Sequence, residues 1–173
     1  MSSTSSIFLI GPMGAGKTSI GKLLANLLGL EFLDADQLIT DKLQLSIAEI
    51  FQQFGEQYFR SQETVILKTV IQKENIVLAT GGGCILSATN RLLLRRAGNI
   101  CYLKVSVEQQ LQRLIADGSR PLLPVQVALW PDYLAASYQH RAPLYEAVAD
   151  YILDADHESI NSLAKQLCKI FTS

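Results

Sequence analysis

Five short apolar runs, near 7–10, 31–34, 75–79, 99–105 and 151–154, alternate along this chain with longer stretches whose apolar residues recur every three or four positions. The runs have the length of strands buried on both faces, and the longer stretches carry the period of amphipathic helices. Helices are predicted over about 17–28, 36–43, 56–73, 87–96, 107–116, 130–149 and 158–171, with a further one opening at Ser46. Local signals sharpen these bounds. Ile20, Leu23, Leu24, Leu27 and Leu28 fall at helical spacing, and Gly29 follows as a C-cap. Ser46 with Glu49 has the form of a capping box, and Gly55 then breaks that helix. Ser106 is placed to cap the 107–116 helix, and Asp132 to start the next one after Pro131. Residues 141–145, Arg-Ala-Pro-Leu-Tyr, interrupt that helical stretch. The segment 117–127 holds Gly118, Pro121 and Pro124 with little periodicity, and reads as a mobile loop. Strands alternating with helices make an α/β fold, a parallel sheet covered on both faces. Ligands of such sheets bind beyond the C-terminal strand ends.

Composition narrows the class. A chain of 173 residues, 49% hydrophobic, fits one domain, 1–173, with a real core. The net charge of −1 supplies no overall basic field for nucleic acid, so individual basic residues must carry any anion binding. Cys84, Cys101 and Cys168 show no metal-ligand spacing and read as free thiols in a reducing compartment. Residues 1–6 lack a basic leader region, and no stretch approaches membrane-span length. A cytoplasmic protein, with no membrane partner, is expected.

The candidate chemistry sits where the strands end. Gly11-Pro12-Met13-Gly14-Ala15-Gly16-Lys17-Thr18 fits the phosphate-binding loop pattern, with an apolar strand before it and a helix after it. The glycines let backbone N–H groups converge on phosphate oxygens, and the helix dipole points at the same anion. Lys17 can reach the β- and γ-phosphates of a nucleotide, and the Thr18 hydroxyl can bind Mg²⁺. Asp34-Ala35-Asp36 ends the second strand. Residues two apart on an extended segment point the same way, so one carboxylate can help hold Mg²⁺ through water while the other handles a substrate hydroxyl. The plainer alternative is a solvated turn with Asp36 capping a helix. Arg60, in Gly-Glu-Gln-Tyr-Phe-Arg, can grip a carboxylate through two parallel hydrogen bonds, or can pair with Glu56 or Glu63 at helical spacing. Thr80-Gly81-Gly82-Gly83 follows the third strand and permits close approach of backbone to ligand, or a tight strand-to-helix turn. Arg120, before Pro121, can bring a positive charge onto a transferring phosphoryl group from a closing loop, and Arg113 can approach a nucleotide. Arg141 offers a second anion clamp or a charged helix face. His140, His157 and Cys84 show no evident role.

Together the stretches GPMGAGKT, FLDAD, FGEQYFRSQE, ATGGG, RPLL and RAPLY resemble the shikimate kinase family, over almost the whole chain and in order. The resemblance implies a nucleoside-monophosphate-kinase-like three-layer sandwich, with a five-stranded parallel sheet in the order 2-3-1-4-5 and helices on both faces. It implies transfer of the γ-phosphate of ATP to the 3-hydroxyl of shikimate, in the biosynthesis of aromatic amino acids. Gly14, Ala15, Gly16, Lys17, Thr18 and Ser19 would cradle the phosphates, with Arg113 and Arg120 also on the nucleotide. Thr18 would ligate Mg²⁺, with Asp34 behind it through water. Lys17, Asp36 and Arg120 would be catalytic, Asp36 as the candidate base. Asp36, Arg60, Gly81, Gly82 and Arg141 would hold shikimate, with residues 36–63 as the substrate-binding helical segment and 117–127 as the lid. A monomer is expected. The physical reading agrees, since a small polyol acid needs a cationic clamp at one end and a hydroxyl acceptor at the other. A different small-metabolite kinase, gluconate-type or nucleotide-directed, shares the loop and lid and is the alternative. The chain departs from the family after its last strand, where Asp154-Ala155-Asp156-His157-Glu158 lacks the basic residue many members carry. Backbone groups can replace that adenine contact.

Overall fold

The computed structural model describes residues 6–117 and 123–173. Its centre is β1 (Ile7–Ile10), whose four side chains are all buried. Burial on both faces follows from its place in the sheet. It pairs in parallel with β3 (Ile76–Ala79) on one side and β4 (Asn99–Lys104) on the other. β2 (Glu31–Asp34) lies outside β3, and β5 (Tyr151–Asp154) outside β4, giving the order β2-β3-β1-β4-β5. The five strands lie where the apolar runs predict them, to within one residue, and in the order the family resemblance implies.

Side chains alternate across a strand, so β1 feeds two cores. Ile7 and Leu9 pack with Ile20 and Leu24 of α1 (Lys17–Leu28) and Leu163 and Leu167 of α7 (Ile160–Thr172). Phe8 and Ile10 pack with Leu67 and Val70 of α3 (Ile47–Val70), Leu94 of α4 (Ala88–Ala97), and Tyr145 and Val148 of α6 (Trp130–Val148). Each such side chain contributes about 1.5–3 kcal/mol on burial. Helices therefore cover both faces of the sheet. Two smaller clusters sit beside the main cores. Ile39 of α2 (Ala35–Leu43) packs with Ile50 and Phe59 of α3. Leu114 of α5 (Val107–Asp117) packs with Leu123, Trp130 and Leu134.

The predicted caps form. Gly29 takes a left-handed φ of 68° after α1, and the Ser46–Glu49 box closes in both directions. Ser106 accepts from the Gln109 amide at 3.2 Å. The break expected at Gly55 is there too: at φ 80° and ψ 173° it leaves helical geometry, and two helical segments meet at that kink within α3, the second ending at Val70 instead of near 73. One helix expectation needs correction. Residues 141–145 do not interrupt α6, which carries Pro143 inside it and starts at Trp130. A proline forfeits one backbone hydrogen bond. Burial of Ala142, Tyr145 and Val148 on either side holds this helix together regardless. Of the predicted 117–127 loop, 118–122 lie outside the described residues. Trp130 Nε1 donates to Pro124 O at 2.8 Å, and a 3₁₀ turn follows at Val127–Leu129.

Candidate functional site

Every loop that leaves a C-terminal strand end of this sheet reaches the same side of the molecule. The loop after β1 curls because Gly16, at φ 89°, caps α1 in left-handed geometry that other residues adopt at a cost. Ala15 turns its methyl into the core and gives the loop only its backbone. Lys17 Nζ donates to Gly11 O at 2.7 Å and Pro12 O at 2.8 Å, so the ammonium lies over the loop. Gln110 Nε2 donates to Met13 O at 2.9 Å. Arg113 Nη1 donates to Gly14 O at 3.0 Å, and its Nη2 donates to Ala155 O. Arg113 thus joins the phosphate-type loop to the segment after β5.

The Asp34-Ala35-Asp36 segment differs from its expected geometry. The chain turns helical at Ala35, so the two carboxylates do not share a strand face. Asp34, and not Asp36, is the cap: its Oδ1 accepts from the amides of Asp36 at 3.0 Å and Gln37 at 3.3 Å. Its Oδ2 accepts from Thr18 Oγ1 at 2.7 Å. Hydroxyl and carboxylate oxygens side by side are hard donors that suit Mg²⁺, which takes few protein ligands and keeps water and phosphate as the others. Among the described residues no group of three or more His, Cys, Asp or Glu could hold a metal, so an ion here would depend on such outside ligands.

A cavity of about 320 Å³ opens over this loop, lined by Gly14, Gly16, Lys17, Thr18, Ser19, Asp34, Asp36, Thr80, Gly82, Arg113 and Asp117 among others. A second cavity, of about 140 Å³, adjoins it. Its polar lining is Asp36, Glu56, Arg60, Glu63, Arg141 and the backbone of Gly81, Gly82 and Gly83; Met13, Ile47, Phe59 and Tyr133 complete the wall. Asp36, Gly82 and Met13 line both cavities. The sequence-predicted residues Gly14, Gly16, Lys17, Thr18, Ser19, Asp34 and Arg113 therefore gather in the first cavity, and Arg60, Gly81 and Arg141 in the second. Asp36 stands between them. Arg120 lies outside the described residues.

Charge in the second cavity is densely paired. Arg60 Nη1 donates to Glu63 Oε2 at 2.7 Å, while Nε and Nη2 donate to Glu56 Oε1 at 3.3 and 3.1 Å. The helical pairing foreseen as the plainer role of Arg60 does form, with both glutamates. The guanidinium is nonetheless largely enclosed, seated where a Cβ on Gly83 would collide with it. Burial disfavours the Arg60 charge, but its two glutamates outweigh that and hold its pKa above the ordinary value. Glu63 is buried deeply enough that desolvation raises its pKa, despite the opposing pull of Arg60. A Cβ on Gly81 would stand 2.5 Å from Glu63 Oε1 and 2.9 Å from Asp36 Oδ1, so glycine lets the backbone approach both carboxylates. Burial also pushes the Cys84 thiol far up, in keeping with a packing residue and not a nucleophile.

Sequence reasoning took Glu63 only as a possible partner of Arg60, and missed Ile47, Phe59 and Tyr133 as wall residues. Glu63 carried a signal, a charge three positions from Arg60 on a helix face that is otherwise apolar. The wall residues read as ordinary helical core positions and carried none.

A family described as Shikimate kinase matches residues 13–172. The chain is similar to the shikimate kinase of Xanthomonas euvesicatoria, 44% identical over 167 residues, covering 96% of this chain and 92% of that one. It is similarly close to that of Histophilus somni, 44% identical over 172 residues, covering 96% and 95%. Among solved structures, shikimate kinase from Acinetobacter baumannii in complex with shikimate superposes with a TM-score of 0.92 at 42% identity, covering 97% of this chain and 93% of that one. A sugar kinase from Janibacter, 18% identical with a TM-score of 0.61, shares the fold alone.

Proposed function

The chain belongs to the shikimate kinase family, and from that premise we propose how its own side chains carry the reaction. The enzyme transfers the γ-phosphate of ATP to the 3-hydroxyl of shikimate, giving shikimate 3-phosphate and ADP. The observation that supports the residue roles best is that Asp36 and Gly82 line both cavities. A hydroxyl held in one can there meet a phosphoryl group held in the other.

ATP occupies the larger cavity. The backbone amides from Gly14 to Ser19 receive its phosphates, and Lys17 exchanges the carbonyls of Gly11 and Pro12 for β- and γ-phosphate oxygens. Mg²⁺ at Thr18 would supply positive charge to offset that of the phosphates. Thr18 would hold it directly and Asp34 through water, the carboxylate already oriented by the α2 amides. Arg113 fixes the floor of the nucleotide cavity through the Gly14 carbonyl.

Shikimate occupies the smaller cavity. Arg60 and Arg141 grip its carboxylate, with Glu56 and Glu63 holding the Arg60 fork. Gly81 and Gly82 present backbone to the ring, and Phe59 and Ile47 close its apolar side. Asp36 accepts the proton of the 3-hydroxyl as the new oxygen–phosphorus bond forms. The bond from the γ-phosphorus to the β–γ bridging oxygen breaks and leaves ADP. Little covalent work falls to the protein; alignment and charge stabilisation carry the rate. Arg120, assigned from sequence, adds positive charge to the transferring group from the lid. The protein acts as a monomer in the cytoplasm. None of its described helices is long and apolar enough to cross a membrane.

The test is ADP release from MgATP in a coupled assay, with shikimate compared against gluconate, quinate and nucleoside monophosphates. Stimulation by shikimate alone is the expected result. Equal stimulation by gluconate or a nucleotide would overturn the acid-cavity reading.

A further inference from the structure

Tyr145 is a buried aromatic residue on α6, 2% exposed, one helical turn beyond Arg141. Residues four apart share a helix face. Its hydroxyl donates to the carbonyl oxygen of Gly82 and also meets the Arg141 side chain. That carbonyl belongs to the peptide joining Gly82 to Gly83, in a run of three glycines that has no side chains of its own to fix its orientation. The two flanks of this peptide are tightly seated. A Cβ on Gly82 would stand 3.2 Å from the Met13 amide nitrogen in the phosphate loop, and one on Gly83 would strike the Arg60 guanidinium.

We propose that Tyr145 is a positioning residue for shikimate binding: its hydroxyl fixes the Gly82–Gly83 peptide and locks the glycine loop to the helix that carries Arg141. The proposal rests on the reading of the smaller cavity as the shikimate site. A trans peptide points its N–H opposite to its C=O. Anchoring the Gly82 carbonyl therefore also sets the Gly83 N–H and the backbone that lines the cavity. It further fixes the spacing between the glycine loop and Arg141, two parts of the substrate cradle 58 residues apart or more in the chain.

The same structure contains its own control. Tyr102 on β4 is fully buried and stacks on the Tyr145 ring, with centroids 4.9 Å apart. Its hydroxyl has no hydrogen-bond partner among the described residues. The two phenols share packing and differ in what their oxygens hold. If Tyr145 served only to fill the core, removing either hydroxyl would have the same kinetic consequence.

The experiment compares Tyr145→Phe, Tyr102→Phe and Arg60→Ala in the full chain, with steady-state kinetics in both substrates and melting temperatures. Tyr145→Phe is expected to raise KM for shikimate about three- to tenfold, the loss of the bond to the Gly82 carbonyl and of the hydroxyl's contact with Arg141. KM for ATP and kcat should stay within about twofold on the same scale. Tyr102→Phe should leave all three constants within that range. Tyr145→Phe behaving like Tyr102→Phe while Arg60→Ala still raises KM for shikimate would overturn the positioning role and leave the cavity reading intact. An equal rise in both KM values with a lowered melting point would overturn it too, as general loosening. If Arg60→Ala also left KM for shikimate unchanged, the cavity reading itself would fail and take this proposal with it. Should Tyr145→Phe melt too low for assay at 25 °C, the ratio of the two KM values at 10 °C is read against the same criteria.

Discussion

The two halves of the proposed site are built in different ways. The nucleotide half is built around one contiguous stretch of chain that presents mostly backbone, the loop from Gly11 to Thr18, steadied by Gln110 and Arg113 through carbonyl oxygens and walled by Asp34, Thr80 and Asp117 from elsewhere in the chain. The acid half gathers Asp36, Arg60, Glu63 and Arg141 from three helices, with Gly81 to Gly83 from a loop, and it presents side chains, among them the enclosed Arg60–Glu63 ion pair. Phosphate is common to many substrates, and a backbone nest recognises it without reference to the rest of the ligand. A particular small acid has to be told from others, and that takes side chains placed from several directions. Common recognition is local in this fold, and selective recognition is tertiary.

The largest expected effect lies at the junction of the halves. Asp36→Ala should cut kcat by about 10²–10⁴-fold, the usual worth of a positioned general base, with nucleotide affinity largely kept. ATP binding followed by calorimetry beside the turnover assay checks this, and a variant that turns over normally would break the division of labour. Next come the clamps. Arg60→Ala should raise KM for shikimate by about ten- to a hundredfold, since a charge-assisted contact is worth about 1.5–3 kcal/mol. Arg141→Ala should act in the same direction. Both should spare KM for ATP, and a parallel rise in the two constants would show that the halves are not separable.

Much of this architecture was legible before any coordinates. The strands, the phosphate loop and most caps depend on neighbours within a few residues, and local pattern reports such dependence faithfully. Asp34 shows where it stops. Its partner Thr18 is sixteen positions away, and the turn into α2 at Ala35 decides which aspartate becomes the cap. Pro143 shows a second limit: a local helix breaker was overruled by tertiary burial of its neighbours. Phe59, Ile47 and Tyr133 look like core residues in the sequence because that is how they pack, except for the side each turns to the cavity.

A smaller effect separates the halves by pH. Burial raises the pKa of Glu63, so the folded chain holds that proton more tightly than the unfolded chain does. The associated stability is whole below the ordinary carboxylate range and drains away as pH rises through the raised pKa. Glu63→Gln stays neutral throughout. Its melting temperature should therefore gain on the parent as pH rises above the ordinary carboxylate range, a trend that thermal scans from acid to neutral pH would check. A gap that stayed constant or closed would contradict it. The smallest effect is on the helix that carries Arg60. Ser46→Ala removes the α3 cap and should cost about 1 kcal/mol of stability in urea titration, with KM for ATP unmoved. A rise in that constant would mean the α3 terminus supports both halves.

The bend at Gly55 gives α3 a double life. Before it, Ile47 and Ile50 belong to a small satellite cluster with Ile39, which Phe59 joins from just beyond the bend; further on, Leu67 and Val70 are anchored in the main core under the sheet. The segment that brings Ile47 to the acid cavity thus rests on a smaller cluster than the segment that ends at Val70. In deuterium exchange, the amides of 47–54 should become labelled well before those of 63–70, so that substrate would enter through a partial opening of the protein and not a global one.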